Sequence, residues 1–104
     1  MQIQINTDGN IQSSAGFEQQ IEATVKSELG HLAEHITRVE VHLSDENSQK
    51  GGSADKRCVI EARLEGRNPD AVTSEAATIE QAVDGAAEKL KRLLEKSVER
   101  LRNH

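Results

Sequence analysis

Polar and apolar side chains alternate over Met1-Gln-Ile-Gln-Ile-Asn6, which puts Met1, Ile3 and Ile5 on one side and Gln2, Gln4 and Asn6 on the other. That is the period of a half-buried strand. Thr7-Asp-Gly-Asn10 breaks the alternation, and the period then lengthens. Phe17, Ile21, Val25, Leu29, Leu32 and Ile36 recur at steps of three and four behind a capping Ser13 or Ser14, with Glu18 early in the first turns. The spacing predicts a helix from about Ser14 to His35. Alternation returns in Arg38-Val-Glu-Val-His-Leu43, with Val39, Val41 and Leu43 inward, and in Lys56 to Glu65, with Cys58, Ile60, Ala62 and Leu64 inward. The polar stretch between them, Asp45 to Asp55 with Gly51-Gly52, suits a hairpin loop. Gly66-Arg-Asn-Pro-Asp70 is a turn, and Ala71 to Ala77 is a weaker strand with Val72, Ser74 and Ala76 on one face. Thr78 can cap the clearest element of all. Ile79, Val83, Ala86, Leu90, Leu94 and Leu101, joined by Ala82, Leu93 and Val98, keep helical period over about seven turns with no proline.

The element order is therefore β-α-β-β-β-α. Each strand has one apolar and one polar face, so a four-stranded sheet should bury a single side under both helices, an α+β two-layer sandwich. The open face would carry Gln2, Gln4, Arg38, Glu40, His42, Arg57, Glu61, Arg63 and Glu75. It offers no aromatic ring on which a base could stack, which removes the main requirement for single-strand binding by a sheet.

Composition sets the scale of the core. A chain of 104 residues is expected to form one domain, 1–104, burying roughly two thirds of the surface it exposes when unfolded. Phe17 is its one aromatic residue, so Ile, Val, Leu and Ala must fill the interior. The one cysteine, Cys58, excludes an internal disulfide, and no Cys and His spacing suits a structural zinc. Neither a membrane-spanning run nor a signal peptide stands in the sequence, and a cytoplasmic location is expected.

Charge changes the picture more. The net formal charge of −5 argues against a polyanionic partner, but its distribution is uneven. Residues 1–55 hold three basic side chains, Lys26, Arg38 and Lys50, against nine acidic ones, whereas residues 89–104 hold six basic against two acidic. On a helical wheel Lys89, Arg92, Lys96 and Arg100 fall within an arc of about 80° beside the apolar stripe, with Glu88, Glu95 and Glu99 on a separate stripe. Cations near a helix C-terminus also complement the macrodipole of a solvated face. A row of like charges at i,i+4 is nevertheless a poor way to stabilise an exposed helix, and it points to an anionic partner.

Other candidates for chemistry are weaker. His31 and His35 lie one helical turn apart and His42 follows in the next strand, but no acid or thiol of evident role completes a metal site, so no metal and no cofactor are expected. Cys58 stands on the inward phase of its strand, as a buried thiol would. No nucleophile elbow, phosphate-cradling glycine loop or HExxH is present, and catalysis is not expected.

Met1-Gln-Ile-Gln-Ile-Asn6, Ile36-Thr-Arg-Val-Glu-Val-His-Leu43 and above all Ala82-Val-Asp-Gly-Ala-Ala-Glu-Lys-Leu-Lys-Arg-Leu-Leu-Glu-Lys96 resemble the hibernation-promoting factor and ribosome-associated inhibitor A family. The resemblance covers nearly the whole chain and is most specific in the Lys-Leu-x-Arg-x-Leu-x-Lys spacing. It implies a domain similar to the double-stranded-RNA-binding fold that sits on the small ribosomal subunit and reversibly inhibits translation under stress or in stationary phase. Lys89, Arg92 and Lys96 match the family's basic positions on the last helix, and the resemblance implies that they contact ribosomal RNA; Arg100 and Arg102 extend the row by position only. The first helix departs from the pattern. Where relatives usually place lysines, Lys26 stands among Glu18, Glu22, Glu28 and Glu34. An alternative follows, an adaptor of the same fold that uses this acidic helix to bind a basic protein instead of RNA.

Overall fold

The computed structural model describes residues 1–9, 11, 13–45 and 55–102. They form β1 (Gln2–Thr7), α1 (Ala15–Leu29), a 3₁₀ segment (Gly30–His35), β2 (Ile36–Asp45), β3 (Lys56–Leu64), β4 (Asp70–Ala76) and α2 (Ile79–Arg102). The predicted order of strands and helices and the α+β class hold. The expected loop around Gly51-Gly52 and the side chains of Leu101 and Arg102 lie outside the described residues.

The strands lie in the order β1-β2-β3-β4. β1 runs parallel to β2, from Gln2 opposite Arg38 to Thr7 opposite Leu43, and the other two pairings are antiparallel. A parallel neighbour requires a crossover, and α1 supplies it. Both helices cover one face of the sheet. Val39, Val41 and Leu43 of β2 and Cys58, Ile60, Ala62 and Leu64 of β3 are at most 2% exposed and meet Val25, Leu29, Leu90 and Leu94 from the helices in one core. At roughly 1.5–3 kcal/mol for each large aliphatic side chain buried, these central positions supply most of the drive to fold. β1 contributes the half-buried Ile3 and Ile5, and Phe17 packs at the margin.

Caps fix the helix starts. Ser14 Oγ accepts from the Phe17 N–H at 3.1 Å, and Thr78 Oγ1 accepts from the Gln81 N–H at 3.1 Å. Each satisfies one of the donors a helix N-terminus leaves free.

Two expectations need correction. The first helix does not run unbroken to His35: it ends at Leu29, and Gly30 to His35 tighten into a 3₁₀ turn. Glycine weakens α-helical propagation at this point, and the tighter winding lets the chain enter β2 at Ile36. At three residues per turn, His31 and His35 stand about 120° apart around the axis and not one above the other. Leu93, read as part of the apolar stripe, is 37% exposed. It lies at the edge of that stripe, next to the basic row.

Candidate nucleic-acid interface

The predicted cations stand on α2, whose apolar face is held down by Ala82, Val83, Ala86, Ala87, Leu90, Leu94 and Val98. That anchoring fixes the helix's rotation, and Lys89, Arg92, Lys96 and Arg100 all come out exposed on one flank. Eleven residues separate the first from the last, so the row runs about 16 Å along the helix.

The two ends of the row differ. Lys89 Nζ donates to the Thr73 carbonyl oxygen at 2.8 Å, which places this flank over the edge strand β4. Arg92 donates to Glu88 Oε1 at 2.6 Å, and their side chains are 71% and 53% exposed. The separation of basic and acidic stripes read from the wheel is therefore incomplete, because Glu88 reaches across to Arg92. Lys96 and Arg100 have no ion-pair partner among the described residues. An exposed i,i+4 pair contributes only about 0.3–0.5 kcal/mol, so Arg92 can exchange Glu88 for another anion at little cost.

The opposite flank of α2 faces α1. Lys91 meets Glu28 at 3.7 Å, and His31 Nε2 lies 2.8 Å from Glu95 Oε2. Lys91, left out of the basic row by its phase, thus bridges the two helices. On α1 itself Glu22 pairs with Lys26 at 3.0 Å. The acidic helix therefore commits Glu22 and Glu28 to contacts within the chain, while in the 3₁₀ segment that follows Glu34 is 76% exposed, with His35 Nε2 3.3 Å away. That His35 nitrogen is buried and lies out of line for a hydrogen bond to the carboxylate.

Among the described residues no group of three or more His, Cys, Asp or Glu could hold a metal ion. No described helix is long and apolar enough to cross a membrane. Cys58 is fully buried in the sheet's core face, and burial pushes its thiol up to about 12.

The open face of the sheet holds the residues expected there, and the register adds what the sequence does not contain. Arg38 lies directly opposite Arg63, and Glu40 directly opposite Glu61. Sequence alternation assigns a residue to a face but not to a cross-strand partner, and the bulge at Thr37 shifts the β2–β3 register besides.

The sequence model of the Sigma 54 modulation protein / S30EA ribosomal protein family matches residues 4–102. Among solved structures, a ribosomal subunit interface protein from Coxiella burnetii is similar with a TM-score of 0.71 at 18% identity, over 93% of this chain and 97% of that one. The N-terminal domain of Thermus thermophilus Protein Y is similar with a TM-score of 0.71 at 20% identity, over 92% of this chain and 98% of that one. Identities this low establish a common fold. No curated protein matches.

Proposed function

Because the chain belongs to the Sigma 54 modulation protein / S30EA ribosomal protein family, we propose that it is a cytoplasmic ribosome-binding domain, spanning 1–104, that docks on the small subunit. It lays the flank of α2 formed by Lys89, Arg92, Lys96 and Arg100 along ribosomal RNA phosphates and inhibits translation reversibly under stress or in stationary phase. It works by occupancy, without catalysis and without a cofactor. The observation that carries this reading is the row itself: four exposed cations on a helix whose rotation is fixed by its core face, with Lys89 on a backbone carbonyl, Arg92 in a cheaply exchanged pair, and Lys96 and Arg100 in no ion pair among the described residues.

The contact of Glu28 with Lys91 between the helices weighs against the alternative of an acidic adaptor for a basic protein, since a partner would have to displace it, whereas Glu22 could leave its exposed i,i+4 pair with Lys26 as cheaply as Arg92 leaves Glu88.

Cosedimentation with small subunits tests the reading. With about four phosphate contacts, and a loss of roughly 0.7–0.9 in log affinity per contact for each tenfold rise in salt, binding should weaken by roughly 50- to 150-fold between 50 and 200 mM salt. Lys89→Glu with Arg92→Glu should abolish it. Binding that ignores salt, or that survives nuclease treatment and is lost on neutralising Glu22, Glu28 and Glu34, refutes docking on RNA.

A further inference from the structure

From the charge pattern on its open face, we infer that the sheet docks on a second copy of itself about a two-fold axis perpendicular to the strands. A shallow cavity of about 390 Å³ on this face is lined by Gln2, Thr37, Arg38, Glu40, Glu61 and Arg63. Its charges lie in rows. Arg38 and Arg63 stand opposite each other across β2 and β3, and Glu40 and Glu61 stand opposite each other in the next outward-facing row. Like charges directly opposite one another destabilise an isolated sheet, and exchanging the residues at 38 and 40 would have paired each charge with its opposite. Arg38 finds relief within the chain, donating to Gln4 and reaching Glu40 at 3.6 Å. Among the described residues Arg63 and Glu61 make no ion pair.

Two successive outward rows are about 6.8 Å apart along a strand. A two-fold axis that lies between two stacked sheets, runs across the strands and passes midway between the arginine and glutamate rows carries each row onto the other. Arg38 of one copy then faces Glu40 of the second, Arg63 faces Glu61, and each contact occurs twice, as an isologous interface requires. A two-fold axis along the strands would set arginine on arginine, so the charges select one of the two simple arrangements. Sheets stack about 10 Å apart, a gap that extended Arg and Glu side chains bridge together.

Four strands at about 4.8 Å spacing present only a few hundred Å², well below the roughly 800 Å² per partner of a stable complex. The dimer is accordingly weak and depends on concentration. This surface faces away from α2, so it is separate from the proposed RNA contact and is tested without ribosomes.

Sedimentation velocity from about 20 μM to about 1 mM protein in roughly 50 mM salt should show the apparent mass rising toward twice the monomer and falling back in about 0.5 M salt. Arg63→Glu alone and Glu61→Arg alone should each remain monomeric, because each sets like charges across the axis. Mixed in equal amounts, they should associate at least as strongly as the parent, since the glutamate introduced in one chain then faces the arginine introduced in the other. Glu22→Lys carries the same net charge as Glu61→Arg but no change on the sheet. Mixed with Arg63→Glu, it should associate no further than it does by itself at the same concentration. A parent chain that is monomeric at the highest concentration overturns the proposal, as does a mixture of Arg63→Glu and Glu61→Arg that fails to associate.

Discussion

Cys58 makes the stability of this fold fall at alkaline pH by an amount that can be worked out in advance. The thiol is 0% exposed, and burial raises its pKa from 9.0 to about 12. A group whose pKa is higher in the folded than in the unfolded chain contributes stability that is complete below the unfolded pKa and is lost as pH rises through the folded one. The loss here begins near pH 9 and continues toward pH 12. At pH 10 the unfolded chain gains RT ln(1 + 10), about 1.4 kcal/mol, from ionising its cysteine, against less than about 0.1 kcal/mol at pH 8. The unfolding free energy should therefore drop by roughly 1.3 kcal/mol between pH 8 and pH 10, a sizeable part of the 5–15 kcal/mol of an ordinary domain. The sequence has no tyrosine, so no phenol titrates near pH 10 beside the thiol. Lys56, its pKa raised by hydrogen bonding to Asp55 and then Asp45, loses its contribution only above its ordinary value of 10.5. Urea unfolding followed by far-ultraviolet circular dichroism, on the parent and on Cys58→Ala at both pH values, isolates the thiol. Cys58→Ala should be less stable at pH 8 through the lost packing, yet nearly indifferent to the change of pH. Equal losses in the two proteins would refute the assignment.

Two further outcomes concern α2. A Cβ at Gly85 would lie 2.5 Å from Ser74 Oγ and 3.4 Å from Ser74 Cβ, so Gly85→Ala alone must turn the serine hydroxyl aside, whereas in a Ser74→Ala background it should gain about 0.5–1 kcal/mol from removing a mid-helix glycine. Thermal melts of the four proteins should show a larger gain in the Ser74→Ala background; equal gains would deny the close approach. Thr78→Ala should cost about 1 kcal/mol through the lost cap to Gln81, or about 4–8 °C in Tm, and Thr78→Ser should restore most of it.

The layered architecture was legible because each strand kept strict alternation and α2 kept helical period, and because the core faces those patterns define are the ones buried. Val72, Ser74 and Ala76 were enough to place β4 despite its weak composition, since the turn at Gly66, where φ is +75°, fixed where the strand could begin. What escaped the sequence was relational. The 3₁₀ turn at Gly30–His35 escaped because a period of three cannot be told from a period of 3.6 over six residues. The opposition of Arg38 to Arg63 is a matter of register. The engagement of Lys89 by Thr73 is a matter of which strand lies at the sheet's edge. The wheel found the basic row, yet Arg92's hold on Glu88 shows that long side chains cross between stripes that the wheel draws apart.

The parallel pairing of β1 with β2 also shapes the order in which this chain can assemble. β2 and β3 close from Asp45 to Lys56, a separation of 11 residues, whereas every β1–β2 pair spans 36. Closing the longer loop costs about 1 kcal/mol more in chain entropy, and the half-buried Ile3 and Ile5 offer less in return than the fully buried residues of β2 and β3. The meander β2–β3–β4 with α2 across it is thus expected to form first, with the N-terminal strand joining it afterwards.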